Sequence, residues 1–201
     1  MHDDGVIKFF CDWQRTEQLN GSGLDAILPS LMNIRDQMAE VSFIGVYPDG
    51  IGYGNISQKI GSREFVVSGT QTGHLRRTTP EHYTRVDGWD VEQNSLHCTG
   101  PIKASSESLT HAALYEAHPD IQAIIHIHHS QLWQNYRNRL PTTRADVPYG
   151  TPSMAHEMWR LFRESRLSEQ KILVMAGHED GMIAVGRTLD EAASRLLSLV
   201  N

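Results

Sequence analysis

Cysteine is scarce: Cys11 and Cys98 are the only two in 201 residues. Two isolated thiols without metal-type spacing supply neither a disulfide framework nor a thiolate zinc cluster, and reduced side chains in a cytoplasmic protein are expected. Basic runs are missing too. Arg76-Arg77 is only a dipeptide, no aromatic residues interleave with basic ones, and the net charge is −6 with a pI near 6.0. Nucleic acid is therefore not expected as a partner. The opening segment Met1 to Gly5 is acidic and no long apolar stretch follows it, so neither a signal peptide nor a membrane span is expected. Internal repeats, low-complexity tracts and Walker or dinucleotide glycine motifs are absent as well. What is present is a chain with 39% hydrophobic residues, long enough to bury a core as one domain over residues 1–201.

Hydrophobic periodicity predicts alternating elements. A short strand is expected at 6–10, then a break at Asn20 to Gly23 and a helix over 24–39 with Ile27, Leu28, Leu31, Ile34 and Met38 on one stripe. Further strands are expected at 42–47, 65–68, 83–87 and 121–128, and helices at 106–118, 130–137, 153–166 and 189–200. A strand-rich middle flanked by helices predicts a three-layer α/β/α architecture around a largely antiparallel sheet. His156 and Glu157 superficially suggest a zinc-protease helix, but the second histidine is replaced by Arg160, so the segment reads as an amphipathic helix surface.

The chemistry concentrates in Ala123-Ile124-Ile125-His126-Ile127-His128-His129. Alternation along a strand sends His126 and His128 to one face and Ile125 and Ile127 to the other. Two imidazoles so placed can share a divalent ion, which needs at least a third protein ligand and, for catalysis, an open position. His178 is the best third ligand, because it follows the apolar run 171–176 and precedes a turn ending at Gly181. Glu107 is the acidic candidate, near a helix start that Ser105 or Ser106 could cap and whose free amides attract an anion. Singly, each reads as ordinary: a surface histidine, a capped helix, a turn. Gly54-Asn55-Ile56-Ser57 and Thr70-Gln71-Thr72-Gly73 are likewise either oxyanion cradles or plain strand-end turns. Only the combination is specific.

In order and spacing, these pieces resemble the class II aldolase and adducin family over nearly the whole chain. They include Gly54 to Ser57, Ser68 to Gly73, Ala104 to Glu107 with His111 and Tyr115, and His118 to His128. They continue through Pro148 to Pro152, His178 with Gly181 to Gly186, and Thr188 to Ala193. The resemblance implies the same three-layer fold. It also implies Zn2+ or another divalent ion on His126, His128 and His178, with Glu107 as the acid/base residue. Gly54, Asn55, Thr72, Gly73, Ser105 and Ser106 match positions that bind the substrate phosphate. The implied activity is a metal-dependent lyase, cleaving a small hydroxyketone or sugar phosphate in a reversible aldol reaction through a metal-stabilised enediolate. Epimerisation, dehydration and decarboxylation use the same site, and an adducin-like binding scaffold is the non-enzymatic alternative. A homotetramer is implied by the aldolase members.

Three features depart from the sugar-phosphate aldolases. Glu179 and Asp180 separate His178 from Gly181, and read first as a turn. No tyrosine matches the family's proton donor: Tyr136 and Tyr149 are available, but Tyr149 sits in a Pro-Tyr-Gly-Thr turn and looks structural. Gly69 and Gln71 alter the phosphate loop, which leaves a carboxylate as the alternative anion. Lys103 could add positive charge beside it, although a solvated lysine is the simpler reading.

Overall fold

The structure, a computed structural model, describes residues 6–21 and 23–200. The expectations about the opening segment 1–5 lie outside them. Ten strands and six α-helices run in chain order as β1 (Phe10–Arg15), α1 (Leu24–Glu40), β2 (Gly45–Val46), β3 (Gly52–Tyr53), β4 (Asn55–Gly61), β5 (Glu64–Ser68), β6 (Tyr83–Asp90), β7 (Ser95–Gly100), α2 (Ser108–Ala117), β8 (Ala123–His128), α3 (Ser130–Tyr136), α4 (Pro152–Glu164), α5 (Leu167–Gln170), β9 (Ile172–Val174), β10 (Gly181–Gly186) and α6 (Leu189–Leu197). Eight strands form one sheet in the order β1-β7-β6-β5-β4-β8-β10-β9, while β2 and β3 pair separately as a hairpin. Every pairing in the large sheet is antiparallel except β1 with β7.

Alternation sorts the strand residues onto two cores. Phe65, Val67, Ile124 and Ile183 pack with Leu109 and Ala112 of α2 and Met154 and Met158 of α4. Val66, Ile125, Ile127 and Ala184 pack on the other face with Leu28 and Leu31 of α1 and Leu189 and Leu196 of α6. The three-layer arrangement follows, because alternate side chains along the strands face opposite helical layers. Helix starts are set by local chemistry: Thr151 accepts from the Met154 amide at 3.3 Å, and Thr188 from the Glu191 amide at 3.1 Å. No helix among the described residues is long and apolar enough to cross a membrane.

Several expected boundaries move. The first strand begins at Phe10 rather than spanning 6–10. The strand expected at 42–47 shrinks to Gly45–Val46, because the end of α1 wraps: Phe43 and Ile44 amides both donate to the Met38 carbonyl, at 2.9 and 3.3 Å. Phe43 and Ile44 are thus buried by a helix terminus, not by a ladder. The Asn55–Ser57 turn reading gives way to strand β4, whose polar inner face hid it. Helix α2 starts at Ser108, so Ser105 and Ser106 precede it instead of capping it. The two cysteines, 87 residues apart in sequence, meet with their sulfurs 3.7 Å apart. Glu157 is not on a helix surface; it is 2% exposed and takes Arg160 Nε and Nη2, both at 2.7 Å.

Candidate metal centre and anion pocket

Strand β8 lies between β4 and β10 and is buried along its whole length. Its register places His126 opposite Asn55 of β4, and His128 opposite Gly181 of β10. His178 arrives from the turn between β9 and β10, in which Gly181 donates to the His178 carbonyl at 3.0 Å and Asp180 takes the left-handed conformation (φ 64°). The acidic pair therefore does shape a turn. The three imidazoles converge, with candidate ligand nitrogens all within 4.8 Å of one another. Nε2 of His128 and of His178 are 3.0 Å apart.

Gly181 makes this convergence sterically possible. A Cβ there would stand 2.6 Å from His178 Cδ2 and 3.3 Å from His126 Nε2, so any side chain would push the ring off the cluster. Glu107, 1% exposed, approaches from the residue preceding α2, with Oε1 3.9 Å from His178 Nε2. Its position is fixed through the helix. His111 and Tyr115, one and two turns on, both bond to the Ser57 hydroxyl of β4 at 2.7 Å. Ser57 thereby ties the Glu107 helix to the strand that carries Asn55.

The donor set fits a cation such as zinc. Nitrogens sharing a tetrahedral ion at about 2.0–2.1 Å are roughly 3.3 Å apart, so the cluster needs at most modest closing. His126 Nε2 is buried with no hydrogen-bond partner among the described residues, as a waiting lone pair would be. Burial holds the His126 pKa down to about 3, and burial, then His126 and Lys8, hold His178 well below the usual histidine range. Both imidazoles are neutral at neutral pH and can donate to a metal. Asn55 Nδ2 lies 3.2 Å from His126 Nδ1, while Asn55 Oδ1 is buried without a partner. With the amide turned over, Oδ1 accepts from Nδ1–H, Nε2 keeps its lone pair, and Nδ2 takes the position where Oδ1 stood.

A small pocket adjoins the histidines, and its lining brings together the ten residues to which the family resemblance gave site roles: Gly54, Asn55, Thr72, Gly73, Ser105, Ser106, Glu107, His126, His128 and His178. Gly54 turns at φ 74°, and a Cβ there would stand 3.0 Å from the Phe43 carbonyl. Gly73 packs still closer, since a Cβ would fall 1.9 Å from the Gly45 carbonyl oxygen. Among the described residues no lysine or arginine lines the pocket, whose donors are neutral amides, hydroxyls and imidazoles. Lys103 does not join them; its side chain is exposed and reaches over Trp13, 5.6 Å from the ring centroid, while its carbonyl accepts from Thr70.

Of two neighbours, one was read from the sequence only as structural and the other was not singled out at all. Tyr149 is no mere turn residue: its ring centroid lies 4.4 Å from that of His178, and Lys8 Nζ sits over the Tyr149 ring, 3.8 Å from its centroid. Arg35, on the buried stripe of α1, is 0% exposed and donates to the Thr72 carbonyl at 2.6 Å and to that of Leu75, clamping the anion loop from behind. A charged residue at an apolar-stripe position was the available signal, because such a group is buried only with partners.

Solved structures share this fold. YgbL from Escherichia coli, a candidate aldolase/epimerase/decarboxylase, superposes with a TM-score of 0.64 at 18% identity over 87% of this chain and 84% of that one. An L-fuculose 1-phosphate aldolase gives 0.64 at 14% identity over 92% and 86%, and a sugar-phosphate aldolase from Thermotoga maritima gives 0.67 at 14% over 88% and 91%. The family model for the class II aldolase and adducin N-terminal domain matches residues 49–201, a stretch that includes all three histidines and Glu107. The chain belongs to the class II aldolase and adducin family.

Proposed function

We propose that this protein is a metal-dependent lyase that cleaves a small phosphorylated hydroxyketone or sugar phosphate by reversible aldol chemistry. The observation that carries the reading is the meeting of His126, His128, His178 and Glu107 beside a cavity otherwise lined by neutral donors. The three histidines would hold Zn2+ or another divalent cation, which when bound supplies the Lewis acidity that polarises a hydroxyketone carbonyl. Gly54, Asn55, Thr72, Gly73, Ser105 and Ser106 bind the phosphate through amides and hydroxyls, orienting the reacting carbons toward the histidines. In the cleavage direction the Glu107 carboxylate takes up the hydroxyl proton, the carbon–carbon bond breaks to release an aldehyde, and the electron pair stays on the ketone fragment. Glu107 returns a proton to the carbon that lost its bond. A cytoplasmic homotetramer is part of the same proposal.

Metal content of protein purified without added metal, compared with His126→Ala and His128→Ala, tests the first half. One equivalent in wild type and a trace in both variants is expected; equal trace amounts in all three would remove the basis of the model. A panel of phosphorylated and unphosphorylated hydroxyketones then tests the reaction, scoring aldehyde release against epimerisation and decarboxylation. Retained turnover in Glu107→Gln would reject Glu107 as the proton carrier.

A further inference from the structure

We infer that Tyr47 is a positioning residue for the metal centre: its hydroxyl holds His128 with Nδ1 protonated and Nε2 presented to the cation. The inference rests on the three-histidine reading above and assigns an outer partner that the sequence motifs do not mark. Tyr47 Oη lies 2.7 Å from His128 Nδ1, while Nε2 of the same ring faces His178 Nε2 at 3.0 Å. The two ring nitrogens thus point to different tasks, one outward to the hairpin and one into the cluster. A hydroxyl can donate or accept, but only acceptance from Nδ1–H leaves the Nε2 lone pair available to a metal. His126 meets the same requirement through Asn55, so the two strand histidines are oriented by partners from different elements.

Tyr47 is delivered there by the β2–β3 hairpin and is aimed by its packing. Tyr53, opposite Gly45 in the hairpin, packs beside both rings, its centroid 4.6 Å from that of Tyr47 and 5.5 Å from that of His128. Pro48, Asp49 and Gly50 close the turn: the Tyr47 amide donates to the Ile51 carbonyl at 2.8 Å, and the Gly50 amide to that of Tyr47 at 2.9 Å. The opposite side of the hairpin abuts the anion loop at Gly73, where no side chain fits against the Gly45 carbonyl. The hairpin is therefore wedged between the phosphate-binding loop and a metal ligand. Sequence reading placed Tyr47 at the end of an ordinary strand, and nothing in its spacing pointed to His128.

Tyr47→Phe removes the hydroxyl and keeps the ring. Metal-stripped wild type and variant are titrated with Co2+ and Zn2+ in competition with a chelator, and the visible spectrum of the Co2+ form is recorded. The expected result is affinity for both ions weakened by about 10–100-fold, with a changed Co2+ spectrum and an unchanged melting temperature of the stripped proteins. Nitrogen NMR of stripped wild type provides a readout that needs neither metal nor the variant, and His128 is expected with its proton on Nδ1. Wild-type affinity and spectrum in Tyr47→Phe, or a wild-type His128 protonated on Nε2 alone, would overturn the assignment. Wild type that binds neither ion would instead sink the three-histidine reading itself, a distinguishable result because there is then no affinity to weaken.

Discussion

Replacing Arg35 by methionine tests whether a buried charge holds the anion loop in place. The guanidinium is 0% exposed, donates to the carbonyls of Thr72 and Leu75, and pairs with Asp36 at 3.3 Å. Asp36 in turn accepts from the Thr78 amide and hydroxyl, each at 3.1 Å, so one helical turn of α1 grips both ends of the 72–78 segment. Methionine fills similar volume without donating. The Thr72 carbonyl keeps the Leu75 amide at 3.2 Å, but the Leu75 carbonyl loses its donor, at about 1–3 kcal/mol, and Asp36 loses its cation, while the desolvation penalty of the guanidinium is relieved. The relieved penalty offsets part of the loss, and the net is a destabilisation of about 1–3 kcal/mol, or roughly 2–12 °C in Tm for a chain of this size. Urea unfolding followed by tryptophan fluorescence measures the first quantity, and calorimetric titration with inorganic phosphate measures the consequence for the site. Phosphate affinity should fall in Arg35→Met and recover partly in Arg35→Lys, which can still donate to one carbonyl. If Arg35→Met unfolds within about 0.5 kcal/mol of wild type and binds phosphate equally well, the clamp is not needed and the reasoning fails.

Other substitutions probe the same architecture. Gly73→Ala would drive a Cβ to 1.9 Å from the Gly45 carbonyl oxygen, and inorganic phosphate binding by calorimetry should be lost while the fold persists. Gly181→Ala crowds His178 and His126, at 2.6 and 3.3 Å, so its metal content by elemental analysis should drop toward that of the histidine variants; a full equivalent would contradict the steric argument. Glu157 is held below the usual carboxylate range, first by its hydrogen bonds to Arg160 and also by the Arg144 amide and both positive charges. A depressed folded pKa means its contribution is present above the ordinary carboxylate value and vanishes as pH falls through the lower folded value. Glu157→Gln should therefore cost about 1–3 kcal/mol at pH 7, with the gap from wild type closing in acid. A gap that stays constant from pH 7 down to the acid transition would show that the carboxylate charge is not what matters.

The expected core was legible because apolar periodicity reports which face of an element is buried. The α1 stripe at Leu28, Leu31, Ile34 and Met38 and the inward residues of β8 were readable that way. Strand β4 was not, because Asn55 and Ser57 are buried for their hydrogen bonds to His126 and to the His111 and Tyr115 pair. Polar residues at buried positions break the alternation on which strand recognition depends. The convergence of the candidate site residues was legible for a different reason: strand alternation by itself predicts that His126 and His128 share a face, and the family resemblance adds His178 and Glu107. Their outer partners Tyr47, Tyr149 and Arg35 carry no such spacing, since each reaches the site from an element distant in sequence.

Local chain geometry thus determined that two imidazoles project from one face of a buried strand, with a glycine- and hydroxyl-rich set of segments available to meet an anion. Tertiary structure alone decided that Gly181 leaves room for His178, that Arg35 braces the loop from beneath, and that a short hairpin brings Tyr47 to His128. Periodicity acts over a few residues and is written into the order of side chains. Close approach between elements is set by the register and packing of the whole sheet, which no local pattern encodes.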